Sequence, residues 1–190
     1  MTAVLNSYAD AADTEEILNA TLRWLERAVV GLNLCPFAKS VLVKKQVRNA
    51  LTAASSADEL LAELEHELNL LAASDPAKLD TTLLIHPQAM TDFLDYHFFL
   101  AEADALLKSL GYEGVFQIAS LHPDYEFAGS EADDIANYTN RSPYPTLHLL
   151  RESSIDRAVA AFPGAESIFE RNIETMERLG HDGWKKLWLS

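Results

Sequence analysis

Two apolar runs, "TTLLIH" and "GVFQIASLH", each end in a His-Pro dipeptide and enclose one helical pattern, "DFLDYHFFLAEADALLKSL". Proline cannot donate to a strand ladder, so Pro87 and Pro123 end both strands. Strand, helix, strand is a crossover unit; such units join parallel strands and wind almost always right-handed. His86 and His122 are therefore expected at the carboxyl ends of two parallel strands. That is the edge at which open α/β sheets take their ligands.

The rest of the chain continues the alternation. Ile17, Leu18, Leu22, Leu25, Val29 and Leu32 mark one face of a first helix. Val41, Val43 and Val47 in "SVLVKKQV" give a weak strand signal. "SADELLAELEHELNLLA" is a helix with a Ser-x-x-Glu capping box from Ser56 to Glu59. "TLHLL" is a last short strand, and two helical stretches follow it, separated by Pro163 and Gly164. The expected architecture is α/β: one domain over residues 14–190, with a small, mainly parallel four-stranded sheet flanked by helices. Residues 1–13 read as a flexible N-terminal arm, with neither the basic start nor the long apolar core of a signal peptide.

The connection from His122 to Pro145 is long for a stretch without structure. Ser130 and Asp133 have capping-box spacing, so "EADDIANY" is expected as a short helix. "TNRSPYP" reads as stiff and extended, because each proline restricts itself and its predecessor. This piece and "LCPFA" are expected to enclose a cleft together with the two His-Pro strand ends.

Charge narrows the partners. The chain has 190 residues, 48% of them hydrophobic, with 15 basic against 29 acidic side chains and a net charge of −14. Such a surface repels phosphate backbones and anionic lipid, so neither nucleic acid nor membrane is expected as a partner. No apolar run reaches the ~20 residues of a membrane span. A single cysteine forms no internal disulfide, which fits a cytoplasmic compartment. The simplest reading of the acidity is solubility.

Three chemistries compete for the candidate residues. In the first, Cys35 is a nucleophile and His122 its base, with His86 nearby. Arg141, Asn140, Ser142 and Tyr144 would then hold a small anionic molecule. Pro36 suits the first position of a helix, and a cysteine capping that helix would be biased towards thiolate. Cys35 has an opposite reading as buried filler, since free cysteine is among the most buried residue types. In the second chemistry, His122, Asp124 and His148 form a two-His, one-carboxylate set for a divalent metal such as non-haem Fe(II). In the third there is no catalysis, and the acidic insert with Glu126, Glu131, Asp133 and Asp134 binds a basic partner or is simply solvated. There is no glycine-rich phosphate loop, Cys-x-x-Cys, His-Glu-x-x-His or Gly-x-Ser-x-Gly.

At "GLNLCPFA", "ASLHPDYEFAG" and "NYTNRSPYPTLHLLRE" the chain resembles a bacterial family of unknown function, over nearly its whole length. The resemblance implies one stand-alone domain of about this size. It brings no activity, substrate or assigned residue with it.

Overall fold

The computed structural model describes residues 11–161 and 164–187. In chain order the elements are helix α1 (Ala11–Trp24), a π-helical segment (Leu25–Val30), α2 (Ala38–Val43), strand β1 (Val47–Leu51), α3 (Ala57–Ala73) and β2 (Thr81–Ile85). Then come α4 (Phe93–Ser109), β3 (Phe116–Leu121), a 3-10 helix (Ile135–Thr139), β4 (Thr146–Arg151), α5 (Glu152–Ala161), a 3-10 turn (Ala165–Ser167) and α6 (Ile168–Lys186).

The chain folds as an α/β structure on a single four-stranded sheet, and the sheet is mixed rather than mainly parallel. Its order is β1-β2-β4-β3. β1 and β2 pair parallel, whereas β4 pairs antiparallel with both β2 and β3. β2 and β3 therefore run in the same direction, but they do not pair with each other as the crossover argument expects, because β4 lies between them. Ile85 and Leu121 both face Thr146 across β4. His86 and His122 accordingly stand level at one edge of the sheet, a full strand apart.

Strand parity sorts the side chains into two cores. Leu84, Leu147, Leu149 and Phe116 point to one face, where α3 and α4 supply Leu60, Leu64, Leu68, Leu71, Tyr96 and Phe99. Leu83, Ile85 and Leu121 point to the other, against Ile17, Trp24, Leu25, Ala28, Met176 and Trp184. Helices on both sides explain why all five residues of β2 are buried and why its sequence is a continuous apolar run.

Local signals were mostly readable, with instructive shifts. The Ser56 hydroxyl caps α3 through Glu59 N at 3.3 Å, but the Glu59 carboxylate reaches back to Ser55 N, one residue earlier than a standard box. Val41 and Val43 belong to the short helix α2, and only Val47 enters a strand. Within 130–137, Ser130 does not cap: it donates to Phe127 O and Asn137 Oδ1, and Asp134 caps the 3-10 helix instead. Helix α1 begins at Ala11, so the last three residues assigned to the arm are helical. Residues 1–10 of that arm lie outside the described residues.

Candidate functional site

The two strand-end histidines converge on one turn. A carbonyl can only accept, so the contact of His86 Nδ1 with Ala89 O at 2.9 Å makes Nδ1 the protonated nitrogen. His122 Nε2 likewise donates to Met90 O at 3.2 Å, while its Nδ1 accepts from Asp124 N at 3.0 Å. Both rings are neutral and fully buried. The Tyr96 ring lies between them, 5.8 Å from His86 and 5.1 Å from His122. The Tyr96 hydroxyl donates to Thr146 O and accepts from Leu121 N. Burial pushes the His86 pKa down to about 4, helped by the neighbouring His122, and it lowers His122 as well. His86 Nε2 is buried without a partner.

This geometry gives the histidines a structural task. They hold the turn that starts α4, in which Met90 adopts a left-handed φ of 51°. With both ring nitrogens bonded to backbone, His122 has no open nitrogen to act as a base.

Arg141 has a similar role. Its Nε donates to Tyr125 O at 3.1 Å, its Nη2 to Ala132 O at 2.7 Å, and its guanidinium lies 4.2 Å from the centre of the Tyr138 ring. It pins the 122–145 insert through carbonyls, using neither a carboxylate nor an open fork. Asn140 O accepts from His122 N, and Asn140 Nδ2 donates to Ser120 O. Ser142 is buried and donates to Tyr144 O at 2.6 Å. Tyr144 is half-buried against the second core, and burial raises its pKa, with Glu16 adding to the effect. These four residues anchor the insert to the sheet, and none of them lines the groove beside the Cys35 loop described below.

The metal set is not assembled. Parity sends His148 to the face opposite His122, where its Nε2 donates to Thr81 Oγ1 at 2.8 Å, and burial holds its pKa well down. Among the described residues no group of three His, Cys, Asp or Glu side chains could hold a metal ion.

Cys35 also parts from His122. No hydrogen bond joins them, and Leu34 packs into the core on the far side of the sheet from the His122 ring. Cys35 does not cap α2 either: that helix starts at Ala38, with Phe37 as its N-cap. What leads into Cys35 is the π-helical segment. Its wide turn is closed by Gly31 N donating to Glu26 O at 2.9 Å and Leu34 N donating to Val29 O at 2.9 Å. Asn33 follows with a φ of 56°, and Asn172 Nδ2 on α6 holds Leu34 O at 2.9 Å.

Beside that loop lies a groove of about 260 Å³, between Leu32, Asn33 and Pro36 on one wall and α6 on the other. Arg171, Asn172, Glu174, Thr175 and Arg178 line the helix side. Positions 171, 175 and 178 share a helical face. Arg171 is held by Ser167 O and Gly164 O. Sequence reading passed over these arginines because α6 reads as an ordinary charged helix. It also passed over Tyr96, Asn137 and Arg151. Parity with Leu147 and Leu149 marks Arg151 as inward-facing, and its Nη2 holds Leu71, Ser74 and Leu79 carbonyls at the end of α3. Asn137, fully buried, gathers Phe127 N, Ser130 Oγ and Glu131 O, a role with no local sequence signal.

No curated protein and no solved structure matches the chain. The family model described as "Protein of unknown function (DUF1415)" matches residues 16–186, nearly the whole chain, and the protein belongs to that family.

Proposed function

We propose that the protein binds a small anionic molecule in the groove between the 32–36 loop and α6. The observation that carries this reading is the placement of Arg171 and Arg178 on one helical face of that groove, in a chain whose net charge is −14. Guanidinium groups bind carboxylate and phosphate through paired N–H donors, and Asn172 and Thr175 add polar groups beside them. A volume of about 260 Å³ suits a small metabolite. Cys35 immediately precedes Pro36 on the groove wall, so a thiol lies in the loop beside the bound anion. This reading replaces Arg141 by Arg178 as the anion-binding residue, with Arg171, held by Ser167 O and Gly164 O, adding positive charge beside it, and gives His122 no part in the chemistry.

Titration calorimetry at low ionic strength with inorganic phosphate, pyrophosphate and small di- and tricarboxylates tests the binding. At least one should bind, more weakly as salt rises, and Arg178→Gln should weaken it by roughly tenfold. Alkylation supplies a second readout. Negatively charged iodoacetate should label Cys35 faster, relative to neutral iodoacetamide, in the wild type than in Arg178→Gln. Absence of binding across the series, with an alkylation ratio insensitive to Arg178, would overturn the proposal.

A further inference from the structure

Six rings form a continuous ladder across α4, the insert and α6. Phe169 meets Phe127 at 6.1 Å, Phe127 meets Tyr125 at 5.0 Å, and Tyr125 meets Phe93 at 5.3 Å. Phe93 meets His97 at 6.4 Å, and His97 meets Phe98 at 6.1 Å. The ends are open to solvent: Phe98 is 66% exposed and Phe169 57%, with Leu94 beside the ladder at 61%. Phe93, Tyr125 and Phe127 in the middle are half-buried. Scattered apolar residues are ordinary on a surface, but contiguous exposed aromatics mark contact sites.

Carboxylates flank every section of the ladder. Asp92 and Asp95 bracket Phe93 and Leu94, Asp124 and Glu126 bracket Tyr125, and Glu170 follows Phe169; all five are exposed. Among the described residues, Asp95, Glu126 and Glu170 form no ion pair. Asp92 caps α4 through Leu94 N and Asp95 N. Two cations lie near the ladder in the chain: Arg141 is turned onto Tyr138 and onto backbone carbonyls, and Arg171 donates to Ser167 O and Gly164 O. Aromatic faces attract cations, and carboxylates beside them select for cations over neutral groups.

From this ladder and its acidic border we infer that the surface is a docking face for a segment of another protein that carries Lys or Arg among apolar residues. A lone ammonium compound would occupy one or two rings, whereas five ring-to-ring steps provide an extended track for apolar anchors between basic side chains. The inference does not rest on the groove beside Cys35: the two share only the start of α6, where Phe169 and Glu170 lie between the groove residues Ile168 and Arg171.

The test uses the full chain and three sets of synthetic peptides: Lys or Arg alternating with Leu or Phe, the same with Ser replacing Leu and Phe, and the same with Glu replacing Lys and Arg. Fluorescence anisotropy should show binding of the first set only. Phe98→Ser combined with Phe169→Ser should weaken it by at least ~tenfold, as should Asp95→Asn combined with Glu126→Gln. These positions are exposed, and circular dichroism confirms that the variants fold. Equal binding of the basic-polar set, or binding unaffected by the two phenylalanine changes, would reduce the effect to unspecific charge attraction and overturn the inference. So would sedimentation showing that the face is covered by a second copy of the chain, with Phe98→Ser dissociating the dimer.

Discussion

His86 and His122 each donate one ring N–H into the same turn, to the successive carbonyls of Ala89 and Met90. They come from strands that are not neighbours, so this turn ties β2 to β3 around the intervening β4. The arrangement depends on both rings being neutral. Protonating His122 at Nδ1 would set a donor against Asp124 N, and protonating His86 at Nε2 would bury a charge with no partner.

Stability should therefore fall in acid. The folded-state pKa of His86 is about 4, below the ~6.5 expected of an unfolded chain. Between these values the unfolded state binds more protons. The stabilisation is complete above ~6.5 and is lost as pH falls towards 4, by ~3 kcal/mol for His86 alone. Urea unfolding at pH 7 and pH 4 measures it. His86→Asn places an amide donor near the Nδ1 position and cannot titrate, so it should flatten the profile by about that amount.

Arg48 on β1 and Glu67 on α3 form a bidentate pair, with Nε–Oε2 at 2.8 Å and Nη2–Oε1 at 2.9 Å. The Glu67 side chain is only 4% exposed. Removing one partner strands the other, so Arg48→Met should cost about 3–5 kcal/mol, whereas the double variant Arg48→Met with Glu67→Leu should recover most of it. A double-mutant cycle by chemical denaturation checks both.

Gly31 and Gly183 separate two kinds of crowding. A Cβ on Gly31 would lie 2.2 Å from Arg27 O, a backbone atom fixed by the π-helical turn. A Cβ on Gly183 would meet the end of the Leu179 side chain at 2.6 Å, which can swing aside. Gly31→Ala should destabilise by about 1–3 kcal/mol, while Gly183→Ala should be close to neutral, with helix propensity offsetting the adjustment. Thermal melts of the two proteins distinguish them.

Arg141→Lys keeps the charge but not the two directed N–H bonds to Tyr125 O and Ala132 O. Stability should drop by about 1–2 kcal/mol, and the 122–145 insert should become more open to limited proteolysis. Anion binding at the groove beside Cys35 should not change. Loss of anion binding with stability intact would restore Arg141 to a ligand-binding role.

Much of this was legible in the chain because it is local. Pro87 and Pro123 end strands through their own missing N–H, Ser56 caps α3 through a hydroxyl three residues from Glu59 N, and the unbroken apolar run of 83–85 announces a strand covered on both faces. The common direction of β2 and β3, and hence the shared edge of His86 and His122, followed from the single helix between them. What the chain did not disclose was the slot taken by β4. Strand order depends on contacts between segments far apart in sequence. Inserting β4 between β2 and β3 made the sheet mixed. Its parity then turned His148 away from His122, and the fold placed the Cys35 loop against α6 rather than against the histidines. Residue types and spacing identify groups capable of chemistry. Only the packing of both helical layers onto the sheet determines which of those groups meet, because each side chain's face depends on the register of strands that sequence distance does not specify.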